Sequence, residues 1–125
     1  AVGLRTVALL TGLAAALVTV DCRAEDPPPW QLVGVQGLVQ VVIVPKAQLH
    51  DAAAYKIQLA RLCPPGQTCF VNFYENSSGA KAELPLPDAI AGEATARFRR
   101  SMKTGTELFE WSCRVVDKSV DVQCF

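Results

Sequence analysis

The chain has 125 residues, room for one domain, with half of its residues hydrophobic and 19% charged, the proportions of a sequence that folds. Twelve basic residues balance twelve acidic ones, so the formal net charge is zero. That balance removes the basic excess on which general attraction to nucleic acid or to anionic membrane surfaces depends.

From Thr6 to Val20 the chain reads TVALLTGLAAALVTV, uncharged throughout and preceded by Arg5. A helix of that length covers about 22 Å, short of the roughly 30 Å hydrocarbon core. The segment suits the apolar region of a secretory signal peptide better than a membrane span. Cys22-Arg23-Ala24 places small residues at positions −3 and −1 of a cleavage site, so residues 1–24 read as a signal peptide and Glu25 as the mature start. A retained anchor is the alternative. Asp21 fits poorly with a lipidated Cys22. Glu25 to Gln31 reads as a proline-rich linker, stiffened by Pro27, Pro28 and Pro29, and residues 32–125 as a single domain.

Leu32 to Val44 carries apolar residues at Val33, Val35, Val39, Val41 and Ile43, the period of two of a strand, with Gly34 and Gly37 marking a bulge or bend. Ala47 to Leu62 predicts a helix with Ala52, Tyr55, Leu59 and Leu62 on its apolar face, stopped by Pro64-Pro65-Gly66. Cys69 to Glu75 is short and aromatic, as a strand should be. The first half is therefore β-α-β. Asn76 to Pro87 reads as a loop. Asp88 is placed to cap a second helix through Ser101, whose basic end would complement the helix dipole. Gly92 and Thr95 weaken that helix, and a strand from Ala94 to Arg100 turning at Lys103-Thr104-Gly105 is the alternative.

At the C-terminus Phe109, Trp111, Cys113 and Val115 alternate with polar residues. A turn at Lys118-Ser119 would set Val115 opposite Val122 and Cys113 opposite Cys124 in an antiparallel hairpin. The fold class is thus a small two-layer α+β domain with a β-α-β first half, a C-terminal antiparallel hairpin and two disulfides. Removing Cys22 with the signal leaves four cysteines, an even number that suits a disulfide framework in an exported chain. The expected pairs are Cys63–Cys69 and Cys113–Cys124. Their spacings suit neither a structural zinc site nor a thioredoxin-like redox motif.

His50, the single histidine, lies beside Asp51, but neighbours in a helix point in different directions, so an exposed helix start explains the pair better than a general base. The sequence contains no nucleophile elbow, zinc-protease motif or phosphate-binding glycine loop, and it implies no cofactor, no metal and no identifiable catalytic residue. Trp30, Phe70, Phe73, Tyr74 and Trp111 read as core before they read as a ligand pocket. Asn76-Ser77-Ser78 matches a glycosylation acceptor. Two features are candidates for binding. Bridged by Cys63–Cys69, the loop Pro64, Pro65, Gly66, Gln67 and Thr68 is a rigid protrusion that binds with little ordering cost. Arg97, Arg99 and Arg100, with Lys103 nearby, could hold an acidic group, partly offset by Glu107 and Glu110.

The expected function is an exported, non-enzymatic module binding a protein or envelope component, periplasmic or secreted, with membrane contact only if the N-terminal segment is retained. The alternatives are a membrane-anchored accessory subunit of an envelope complex and a small enzyme whose site the sequence does not disclose.

Overall fold

The computed structural model describes residues 27–116 and 123–125; the expected signal peptide, Cys22 and the Lys118-Ser119 turn lie outside them. Five strands form one mixed sheet in the order β1-β2-β3-β4-β5: β1 (Gln31–Gln36), β2 (Val39–Ile43), β3 (Cys69–Tyr74), β4 (Ala94–Ser101) and β5 (Thr106–Trp111). Only β2 and β3 are parallel, and helix α1 (Ala52–Leu62) connects them, as the β-α-β reading expects.

The apolar run Leu32 to Val44 is a hairpin rather than one strand. A two-residue turn at Gly37-Leu38 sets β1 antiparallel to β2, with Gly37 at φ 65° supplying the positive φ at the turn's first position. Because the turn is two residues long, the alternation of apolar positions runs through it, and periodicity alone does not reveal the reversal. The register shifts between Leu32 and Gly34, the bulge that Gly34 signals.

The helix expected over 47–62 is divided. A 3-10 turn covers Lys46–Gln48, and α1 begins after Asp51, whose side chain accepts from the Ala54 N–H at 3.1 Å. Tyr55 is fully buried, with its ring edge-to-face against Trp30, Phe73, Phe109 and Trp111 at 4.9–5.7 Å. Ala52 is exposed and Gln58 buried, the reverse of the expected faces. The cause is the segment just ahead of β1. Gln58 Oε1 accepts from the Trp30 N–H and its Nε2 donates to the Pro28 carbonyl, both at 3.0 Å. Trp30 is buried and its indole N–H donates to Gln48 Oε1 at 2.9 Å. The folded body therefore begins ahead of residue 32, and Pro28 to Gln31 belong to it.

The second helix is corrected. Only α2 (Asp88–Ala91) is helical, with Pro87 rather than Asp88 at its N-cap and Gly92 at its C-cap; residues 94–101 are β4, the alternative reading. Ala96 and Phe98 alternate with Arg97 and Arg99, and β4 places the first pair in the core. An antiparallel hairpin does fill the C-terminal half, but β4 and β5 form it around residues 102–105. The long β4 offers Phe109 and Trp111 neighbours that continue the core, Phe98 and Ala96. Strand β5 ends at Trp111, and Cys124 returns beside it in a parallel bridge, not in the expected antiparallel register. Both expected disulfides are formed, Cys63–Cys69 and Cys113–Cys124, with Cα separations of 5.6 and 4.9 Å.

Helix α1 and its aromatic cluster cover one face of the sheet, giving the two layers of an α+β domain. The other face of β1 and β2 is closed by Leu84, whose Cδ1 would lie 2.8 Å from a Cβ built on Gly34. Among the described residues no helix is long and apolar enough to cross a membrane.

Candidate functional site

Helix α1 stops where Pro64 cannot continue it, and the Cys63 N–H closes its last turn on the Leu59 carbonyl at 2.8 Å. Cys69 opens β3, so the first disulfide joins the end of the helix to the start of the central strand. Pro64, Pro65, Gly66, Gln67 and Thr68 between them are all exposed, and Gly66 turns the loop at φ 76°. The loop is also held laterally. Arg100 Nη1 donates to the Pro64 carbonyl at 3.3 Å, and the Met102 N–H donates to Thr68 Oγ1 at 3.0 Å. The β4–β5 turn, with Gly105 at φ 70°, thus stands beside the disulfide loop. Between them runs an open groove of about 400 Å³, lined by Pro65, Gly66, Arg100, Met102, Thr106 and Glu107. Met102 is half exposed at its rim, and Arg100 pairs with Glu107 at 2.9 Å.

The three arginines do not form one patch. Strand alternation sends Arg97 and Arg99 to the face opposite α1 and leaves Arg100 at the loop. Arg97 pairs with Glu110 at 2.9 Å and lies 4.2 Å over the Phe125 ring. Arg99 donates to the Val71 and Phe98 carbonyls and to Asn72 Oδ1 at 2.7 Å, with Phe70 alongside. Burial, with the positive charge of Arg97 adding to it, lowers the Arg99 pKa from its ordinary value. Among the described residues Arg99 has no carboxylate partner. Glu107 and Glu110 offset Arg100 and Arg97, as their sequence proximity suggests, and Lys103 lies exposed in the turn.

His50 Nε2 lies 3.3 Å from the Val115 carbonyl on an exposed position, and the Asp51 carboxylate is engaged in capping α1. A second pocket, about 280 Å³ between α1 and β4–β5, is lined by Ala52, Lys56, Leu59, Phe98, Phe109 and Trp111 with Glu107, without His50. Of the aromatic residues, Trp30 and Phe73 are core and Trp111 packs against it, whereas Phe70 and Tyr74 lie partly exposed on the opposite face. In the Asn76-Ser77-Ser78 segment the Asn76 amide is engaged, donating to the Ala80 carbonyl at 2.7 Å and accepting from Ser78 Oγ at 2.9 Å.

One cluster escapes sequence reasoning. Glu75, almost fully buried at the end of β3, accepts from Arg114 Nη2 at 2.9 Å and from Ser77 Oγ at 3.0 Å. Ser77 Oγ also meets Glu93 Oε1. Burial acts to raise the Glu75 pKa. The hydrogen bonds from Arg114 and Ser77 and the charges of Arg114 and Lys46 outweigh it, and hold the group below its ordinary value. Arg114 also donates to the Ala94 carbonyl at 3.1 Å, so it ties the ends of β3 and β4 together. The only sequence signal for this pairing is a charged residue closing an aromatic strand, which does not name its partner.

Comparison with known proteins returned nothing. No family model matches the chain, and neither the curated proteins nor the solved structures contain a significant match. The reading of function rests on the groove and its surroundings.

Proposed function

We propose that the protein is an exported, non-enzymatic binding module that engages a protein or envelope component through the groove between the disulfide loop and the β4–β5 turn. The observation that carries this reading is the double restraint on the loop. Its ends are joined by Cys63–Cys69, and its flank is held to β4 by Arg100 and Met102. Ordering backbone on binding costs roughly 1 kcal/mol or more per residue, and a loop ordered in the free protein avoids that cost. The groove is open and bounded by both apolar and polar groups, which suits side chains inserted by a partner better than an enclosed small molecule. Two disulfides fit a domain that matures in an oxidising environment, and the periplasm or the extracellular space is the place we assign to it.

Affinity capture from the native envelope fraction tests the assignment, comparing the unaltered protein with Gln67→Ala and Met102→Glu. Both variants change exposed side chains away from the core, so their thermal stability should stay close to that of the parent. Loss of a specific partner with both variants supports the groove; equal recovery with all three proteins rejects it. Intact mass of the same sample tells whether residues 1–24 have been removed.

A further inference from the structure

The two edges of the sheet are treated differently. Along β5, Glu107 and Glu110 place charge on the edge strand. At its end Cys124 bridges beside Trp111, and the Phe125 N–H donates to the Trp111 carbonyl at 3.1 Å. Charge and cover of this kind keep an edge from pairing with another chain. Among the described residues the β1 edge has neither. No charged residue occurs from Gln31 to Val44, and Leu32, Val35 and Leu38 are 47%, 55% and 73% exposed.

The pattern along β1 fits a copy of itself. Leu32 pairs with Val42 and Val35 with Gln40, which puts both on the face that carries α1. Gln31 pairs with Ile43 and Gln36 with Val39, on the opposite face. The bulge between Leu32 and Gly34 is what brings Leu32 and Val35, three residues apart, to the same side. Reversed, Gln-Leu-Val-Gly-Val-Gln keeps a glutamine at each end and an apolar residue next to each glutamine. Set antiparallel to a two-fold copy, Gln31 faces Gln36 and Leu32 faces Val35, so apolar pairs meet on one face and amides on the other. Like charges would oppose one another in such a contact, and the strand has none.

We infer that β1 is a self-association edge, pairing antiparallel with β1 of a second copy so that the two five-stranded sheets become continuous. This surface is separate from the groove assigned above, and neither reading depends on the other.

Sedimentation equilibrium of the protein in its processed, exported form, from about 1 to about 200 µM, reads the association directly. A monomer–dimer equilibrium is expected. Val35→Lys should raise the dissociation constant at least about tenfold, while Val35→Thr keeps a strand-forming side chain and should keep the dimer. A register-specific check uses two further variants. Mixed Leu32→Cys and Val35→Cys proteins should form a disulfide-linked heterodimer under mild oxidation, in preference to the homodimer of either alone. The reasoning is overturned by a monomer at every concentration, whether another segment covers the edge or the edge stays bare. A dimer unaffected by Val35→Lys, or cross-links without the Leu32–Val35 preference, overturns it equally.

Discussion

Tyr55→Phe isolates one polar contact at the centre of the core. The Tyr55 side chain is fully buried, and its hydroxyl lies 2.9 Å from the Leu49 carbonyl and 3.0 Å from Thr95 Oγ1. A carbonyl only accepts, so the phenol donates to Leu49 and accepts from the equally buried Thr95. Removing the oxygen leaves the ring and its edge-to-face neighbours in place. It strips the buried Thr95 donor and the partly buried Leu49 carbonyl of their partner, a loss of up to about 2 kcal/mol when each orphan costs roughly 1 kcal/mol. Urea unfolding followed by tryptophan fluorescence should show a lower midpoint with an unchanged slope, a fall of up to about 1 M for a slope near 2 kcal/mol per M. Thr95→Val removes only the donor. The double variant should cost less than the sum of the two singles by about 1 kcal/mol, because both act on one bond. Burial, partly offset by the Thr95 hydrogen bond, also pushes the Tyr55 pKa up to about 12 from 10.0. The folded state thus holds the phenol proton more tightly than the unfolded chain. The stability linked to it is whole below pH 10 and is lost as pH rises from there through about 12. Tyr55→Phe should lack that alkaline loss. A variant as stable as the parent, or strict additivity with Thr95→Val, would refute the hydrogen-bonded geometry.

Glu75 makes the opposite prediction in acid. Its folded pKa is depressed, so its contribution is whole above the unfolded value near 4.5 and is lost as pH falls through the folded value; Glu75→Gln should flatten the acid limb of a stability–pH curve. Gly34→Ala should cost less than about 1 kcal/mol, because the Leu84 Cδ1 it would meet at 2.8 Å is the end of a flexible side chain that can turn aside, and in a Leu84→Ala background that cost should shrink further, as denaturant midpoints of the four proteins would show. Reduction of Cys63–Cys69 and Cys113–Cys124 should add the mass of four protons and remove about 2–3 kcal/mol per bond, read as a large fall in thermal midpoint. Arg99→Ala should leave partner capture by the groove intact, because its side chain lies on the other face of the sheet, whereas Arg100→Ala should weaken it.

The elements most legible in the sequence are those where pattern and punctuation agree. Helix α1 was legible by its apolar spacing and its proline stop, although it begins after Asp51 rather than at Ala47; β3 is short, aromatic and bounded by the loop and Asn76. Both disulfides were legible, Cys63–Cys69 from a helix end followed by a strand start, and Cys113–Cys124 through a hairpin register that the protein does not adopt. The failures share a cause, that local pattern is silent about which strand lies next to which. Residues 109–115 alternate well enough to suggest a hairpin with the C-terminus, yet β4 supplies a longer partner, and the alternation of Arg97 and Arg99 with Ala96 and Phe98 was open to either a helical or an extended reading. The fate of the arginines followed from that ambiguity. A helix end would have gathered all three, but a strand divides them between two faces. Gln58 was invisible for a different reason. A glutamine on a helix reads as solvated, and only the return of Pro28 and Trp30 over α1 makes it a buried hydrogen-bonding centre.

A single eleven-residue helix is a narrow cover for a five-stranded sheet, and the places where it ends explain the cysteines. Beyond Leu62 the helical layer stops while β3 is still to begin, and Cys63–Cys69 joins the two at that margin. Beyond Ser112, whose N–H still donates to the Thr95 carbonyl of β4, the chain leaves its sheet neighbour, and Cys113–Cys124 fastens the returning C-terminus beside it. Each bridge thus acts where burial and strand pairing run out, which is where a domain of this size needs a covalent link. The first bridge has a further consequence. The margin it secures is also one wall of the groove, so the restraint that stabilises the fold also fixes the shape a partner would meet. On the proposed binding through the groove, opening that one disulfide should weaken partner capture even under conditions where the sheet stays folded, as capture with the selectively reduced protein would show.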